Sequence, residues 1–227
     1  MKILSALAVK EVVEPASRAF TQETGEPFDS FFGPVGALQD KIAAGETAEL
    51  AILIPAALEP LQKQGILAGR WDLGRVGIGV AIQHGAPKPD FSTPEAFKQM
   101  LLDARSIALT DPRVGGTAGI YLAGLLERMG IAEAIKPKVQ WQKNGFFSAQ
   151  AVANGEAELG MTQVSEIVAV RGAVNAGPLP QPLQTVTIYC AGVFAASKAQ
   201  DKARAFIEKL RSPALAPKWK QAGFDLP

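Results

Sequence analysis

Four short segments place small residues where a strand could hand over to a helix. They are Ser5-Ala6-Leu7-Ala8, Gly33-Pro34-Val35-Gly36, Gly115-Gly116-Thr117-Ala118 and Asn144-Gly145-Phe146-Phe147-Ser148. The first turn of a helix exposes N–H groups and a partial positive charge, and both suit an anion. Glycine and other small residues let a ligand come close to that backbone. A plain tight turn has the same composition at any one place. Two such junctions in each part of the chain point instead to a common anionic guest. The residues expected to line its site are Ser5, Ala6, Ala8, Val35, Gly36, Gly115, Gly116, Thr117 and Phe146. Arg113, just before the glycines, is either a partner for a carboxylate or a solvated loop arginine. Gln163, Ser165 and Glu166 follow a strand directly, so at least one of them faces the guest. Glu166 has the alternative of capping a helix or bonding to backbone.

Chemistry on the guest would need a tunable acid or base within hydrogen-bond reach. Lys10, His84, Asp111 and Glu166 are the candidates. His84 is the only histidine and Cys190 the only cysteine, so a multi-His metal site, a Cys-rich metal site and an internal disulfide are excluded. No metal is expected. No cofactor is expected either: there is no GKS or GKT of a P-loop, and no G-x-G-x-x-G after a strand. The 23 Lys and Arg balance 22 Asp and Glu, leaving a net charge of +1 and no bulk field for a nucleic acid backbone. No apolar run reaches the roughly 20 residues that span a bilayer, so no membrane insertion is expected.

The elements that must position these residues alternate. Residues 2–8 read as a buried strand, followed by a helix with Val9, Val12, Val13, Ala16 and Phe20 on one face, ended by Thr24-Gly25. Strands near 28–32 and 50–54 flank a short helix around Leu38 and Ile42. A further strand covers 75–82, and Thr93-Pro94 opens a helix. A second β-α-β-α-β block runs over 106–162. Residues 185–194 form a long apolar strand, and Ala203, Phe206, Ile207 and Leu210 mark a last helix. Such alternation gives an α/β fold with a mostly parallel sheet.

Three segments carry a family resemblance. FGPVGALQDKIAAGETAELAIL (32–53), TDPRVGGTAGIYLAGLLERMGI (110–131) and NGEAELGMTQVSEI (154–167) resemble, in order, blocks of the molybdate-binding protein family of periplasmic solute receptors. The likeness covers nearly the whole chain. It implies a type II periplasmic-binding-protein-like fold, with two lobes and a ligand cleft between them. It also implies a small anionic ligand and an ABC permease as partner. The family holds its oxyanion with serine hydroxyls, backbone N–H groups and a tyrosine. Those positions fall on Ala8, on or beside Gly36, and on Gln163, so the hydroxyls are missing. GGTAGIY with GEAELGMTQVSEI is similar to a branch that includes aconitate isomerase, which implies a carboxylate ligand and makes an isomerase credible.

The expected division is residues 1–80 with 185–227 as one lobe and 81–184 as the other. The leading expectation is a monomeric solute-binding protein for a small anion, an organic acid. The alternatives are an aconitate-isomerase-like enzyme that shifts a proton on a polycarboxylate, molybdate or other oxyanion binding for ABC transport, and a cytosolic ligand sensor. The start MKILSALAVKEVVEP runs straight into the first strand and helix without an export signal. As written the chain therefore reads as cytoplasmic, or as periplasmic if a signal has been removed.

Overall fold

The computed structural model describes residues 1–226. The chain divides into two compact units, one of residues 1–75 with 187–227 and one of residues 76–186.

The first unit begins β1 (Lys2–Ala6), α1 (Lys10–Thr24), β2 (Asp29–Gly33), α2 (Val35–Ala43), β3 (Leu50–Leu53) and α3 (Pro55–Lys63). Strand β1 pairs in parallel with β2 on one side and β3 on the other. All four residues of β3 (LAIL) are buried, as expected of a strand covered on both faces. Helix α1 turns Val12, Val13, Ala16 and Phe20 inward, and Gly25 ends it in the left-handed conformation. Sequence periodicity did not mark α3, which Pro55 opens and Pro60 interrupts.

The long strand β4 (Leu67–Gln83) starts earlier than its apolar stretch suggested, because the polar residues Arg70 and Asp72 occupy its first part. The second unit continues with α4 (Pro94–Asp103), β5 (Ile107–Thr110), α5 (Thr117–Arg128), α6 (Ala132–Ile135), β6 (Val139–Gln142), α7 (Gly145–Ala153), β7 (Leu159–Gln163), α8 (Val164–Val168) and β8 (Ala173–Pro178). Strand β5 lies parallel between β6 and β7, and β4 runs antiparallel to β7 and β8. Period-two burial sends Ile107, Leu109 and Met161 to one apolar cluster and Ala108 to another, where Ala149, Val152 and Ile167 pack. The strand β8 has no strong apolar pattern, since AVNAGP (173–178) mixes Asn175 with Gly177 and Pro178. In the Pro-rich connection after it, Gln184 replaces a missing strand partner. Its amide accepts from Ile78 N–H at 3.0 Å and donates to Ile78 C=O at 2.9 Å.

The chain completes the first unit with β9 (Val186–Phe194), α9 (Gln200–Arg211) and α10 (Ala216–Gln221). Strand β9 is antiparallel to β3. Phe206 from α9 meets Phe20 edge-on at 5.5 Å, and the fully buried Trp219 donates its indole N–H to Leu210 C=O at 2.8 Å. Cys190, in the middle of β9, is fully buried, and burial pushes its thiol up to about 12. The thiolate is the nucleophile. Cys190 should therefore stay unmodified by a thiol-directed disulfide reagent at pH 8 in the folded protein and react fully in denaturant. Rapid labelling without denaturant would contradict that burial.

Candidate functional site

In each unit, parallel strands end side by side and helices start from their carboxyl ends. In the first unit the register pairs Ala6 with Gly33, so β1 and β2 stop at the same level. A 3-10 turn, Leu7–Val9, leads from β1 into α1, and no side chain caps it at Ala6. Pro34 stands at the cap position of α2, again without a side-chain hydrogen bond. Proline offers no side-chain acceptor, so the first-turn amides of α2 look for one elsewhere. Ser5, Ala8 and Val35 are buried around this corner. Ala8 brings no hydroxyl. The ammonium of Lys10 lies 5.8 Å from the centre of the Phe32 ring.

In the second unit β5, β6 and β7 end together, and Asp111 N–H donates to Gln142 C=O at 2.8 Å. Asp111 does not stand free as a proton shuttle. Its carboxylate accepts Arg113 N–H at 2.9 Å and the Arg113 guanidinium at 3.0 Å. The guanidinium holds Asp111 below the usual carboxylate range. Arg113 is 85% exposed, so this pair is a loop clamp with one face still open. Gly115 turns left-handed, and Gly116 precedes α5 without a side-chain cap. Thr117 opens α5. Two residues later Gly119 lets the helix rest on the end of β5, where a Cβ would lie only 2.6 Å from Thr110 C=O.

Helix α7 starts differently. Asn144 Oδ1 accepts Phe147 N–H at 3.1 Å, a side-chain cap. The N–H groups of Gly145 and Gln163 both bond to the Glu166 carboxyl, which also accepts the Thr162 hydroxyl at 2.6 Å. A Cβ on Gly145 would overlap Thr162 Oγ1 and that carboxyl outright. Glu166 as a whole keeps some solvent access, but its carboxyl group is enclosed, and burial raises its pKa against the three hydrogen bonds. Thus Glu166 takes the capping alternative, and the fourth junction is filled from within. Phe146 remains half-buried at this turn, its ring edge-on to Phe147 at 5.7 Å. Gln163 is buried where α8 begins.

The structure therefore gathers Ser5, Ala6, Ala8, Lys10, Val35 and Gly36 at one end of the first unit's sheet. It gathers Asp111, Arg113, Gly115, Gly116, Thr117, Phe146, Gln163 and Glu166 at the corresponding end of the second. His84 does not join them. The antiparallel register sets Ile78 against Gln163 and Ala81 against Gly160, so the chain beyond Gln83 leaves by the amino end of β7. His84 sits there, exposed, with its N–H on Gly172 C=O at 2.8 Å. Its place after a strand was read correctly, but the strand runs the other way. One cation was missed. Lys143 directly follows β6, with its ammonium 3.9 Å from the Phe147 ring centre. Its position directly before Asn144-Gly145 was the available signal. Among the described residues no group of His, Cys, Asp and Glu could hold a metal ion, and no helix is long and apolar enough to cross a membrane.

Comparison with known proteins follows the same outline. The aconitate isomerase of a Pseudomonas species is 32% identical over 93% of this chain and 82% of its own length. The molybdate-binding protein of Escherichia coli (strain K12) is 22% identical over 99% of this chain and 88% of its own. In structure, the periplasmic molybdate-binding protein of Azotobacter vinelandii superposes with a TM-score of 0.79 at 18% identity, covering 100% of this chain and 99% of that one. That agreement gives the chain the type II periplasmic-binding-protein fold. The family model described as bacterial extracellular solute-binding protein matches residues 1–225, and the chain belongs to that family.

Proposed function

We propose that this solute-binding protein takes a small organic polycarboxylate as its ligand. One observation supports this most: the helix starts at Ala6, Pro34 and Gly116 lack any side-chain cap, whereas α7 is capped twice. Uncapped starts are common in this chain, but these three stand at the carboxyl ends of parallel strands, where their N–H groups are open to an acceptor from outside. Ala8, Gly36 and Gln163 bring none of the hydroxyls expected of a molybdate site, which favours carboxylates over tetrahedral oxyanions. Lys10, Lys143 and the open face of Arg113 supply charge around the junctions.

A second reading, an isomerase acting on a polycarboxylate, is favoured by the 32% identity to an aconitate isomerase. Lys10 would be its acid or base candidate, since the Asp111 and Glu166 carboxyls are already held by neighbouring hydrogen bonds. Membership of an extracellular solute-binding family favours work outside the cytoplasm, as a monomer that delivers its ligand to an ABC permease.

Thermal denaturation with cis-aconitate, trans-aconitate, citrate, sulfate and molybdate tests the binding reading. A ligand at 100 times its Kd adds about 2.7 kcal/mol. For a chain of this size that raises Tm by about 5–10 °C. The expected result is such a rise with a tricarboxylate and a smaller one with molybdate. No rise with any carboxylate would sink the proposal. Chromatography of cis-aconitate incubated with the protein separates the two readings, since only the isomerase forms the trans isomer.

A further inference from the structure

A groove of about 750 Å³ opens within the second unit, lined only by residues between Ile82 and Leu159. Arg105 stands just before β5 and Glu158 just before β7, so the groove lies at the amino ends of these strands. The junctions described above lie at their carboxyl ends. Helix α4 forms one wall, and the loop after β4 forms another. The floor is apolar: Ile82, Met100 and Leu159 belong to the unit's main apolar cluster.

Three carboxylates, Asp90, Asp103 and Glu158, stand around this floor against one guanidinium, that of Arg105. Each carboxylate has one oxygen engaged by a neighbour. Asp90 Oδ1 accepts the Ser92 N–H at 3.0 Å and its hydroxyl at 2.8 Å. Asp103 Oδ1 accepts the Gln99 amide at 2.8 Å. Glu158 Oε2 accepts the Arg105 N–H at 2.8 Å and its guanidinium at 3.1 Å. The second oxygen of each has no hydrogen bond among the described residues. Arg105 is therefore committed to Glu158, and Asp90 and Asp103 have no cation of their own in the groove. The Ser92 N–H holds Asp90, and the Arg105 N–H holds Glu158, below the usual carboxylate range, so both are charged at neutral pH.

We propose that this groove is a second ligand site, for a linear aliphatic amine with two or more ammonium groups. The carboxylates do not converge on one point, since no group of His, Cys, Asp and Glu among the described residues could hold a metal ion. A compact cation therefore cannot serve them all, whereas ammonium groups spaced along a methylene chain can. The methylenes lie on the Ile82–Met100–Leu159 floor and lose contact with water. The ammonium groups meet the free carboxylate oxygens at the rim. A neutral or anionic guest would cover those oxygens without giving them a partner. The volume is that of a small-molecule pocket. The site is independent of the anion reading above.

Calorimetry with spermidine on the whole chain, without cis-aconitate and at about 0.15 M salt, tests the proposal. One spermidine should bind per chain, and butylamine, with a single ammonium, at least about tenfold more weakly. Replacing Asp90 and Asp103 together by asparagine should weaken spermidine about tenfold, the order of two partly screened ion pairs. Ala96→Phe keeps every charge but fills the groove from the first turn of α4, and it should weaken spermidine at least as much. Replacing Asp201 and Glu208, exposed on α9 in the first unit, by asparagine and glutamine makes the same change in net charge and should alter affinity less than about twofold. A loss in that control equal to the loss in the groove variants would mean diffuse attraction to the whole surface, and the proposal fails. It fails equally if Ala96→Phe binds as wild type does, or if spermidine gives no heat. Should Ala96→Phe fold poorly, Gln99→Lys takes its place. It sets an ammonium one turn from Asp103 on the exposed face of α4, and spermidine should again bind about tenfold more weakly.

Discussion

Replacing Gly145 with alanine should lower the unfolding free energy by about 3 kcal/mol, at the upper end for overpacking a filled core. The backbone of Gly145 is not in a strained conformation, so the effect is one of volume alone. The new methyl has nowhere to go. On one side is Thr162 Oγ1, at the end of β7, and on the other the Glu166 carboxyl, both already fixed by hydrogen bonds. Urea titration should show the midpoint falling with an unchanged slope. Gly124→Ala is the matched control. It sits in α5, where a Cβ would meet only the far end of the flexible Arg128 side chain, at 3.2 Å. That change should be neutral or stabilising by up to about 1 kcal/mol, the gain of alanine over glycine in a helix. A Gly145→Ala protein as stable as the Gly124→Ala protein would show that α7 does not begin against Glu166. Adding Thr162→Ala and Glu166→Ala to Gly145→Ala should recover part of the loss, because the three residues share one space.

The second large effect concerns ligand affinity. Pro34→Asp installs an acceptor at an unfilled cap, in backbone conformation that already suits one. The aspartate can take a first-turn N–H of α2, worth about 1 kcal/mol, while loss of the proline's restraint on the unfolded chain costs about 0.4–1 kcal/mol. Stability should hardly change. Affinity for cis-aconitate should fall at least about 100-fold, since a fixed negative charge within about 5 Å of a bound carboxylate costs several kcal/mol even at an effective dielectric near 20. Pro34→Asn, equally able to cap but neutral, should lose much less. A variant that binds as well as wild type would show that the α2 start is not used. One that fails to fold would leave Pro34→Asn as the reporter.

The elements that carry these residues were legible because their patterns are strong. The all-apolar β3, the period of α1 and the Thr93-Pro94 start each admit few readings. The elements that were missed have mixed signals. Proline lies inside α3, polar residues begin β4, and β8 mixes Asn175 with Gly177 and Pro178. At the junctions, composition located every turn but could not say which turns are satisfied from within. Asn144 and Glu166 are 22 positions apart in sequence, and only the fold brings both onto the start of α7. The misplacement of His84 has the same origin: apolar composition marks a strand, while its direction is set by long-range pairing.

One topological fact bears on how the molecule is made. The partner of β3 is β9, and Leu53 lies opposite Cys190, so more than a hundred residues separate two neighbours in a sheet. During synthesis the amino-terminal strands must wait, with a hydrophobic edge unzipped, while the whole intervening unit emerges and collapses. The inserted part can mature on its own contacts, whereas the part that starts translation is the last to be sealed. The ribosome thus cannot lock the front of the polypeptide until it has delivered the back.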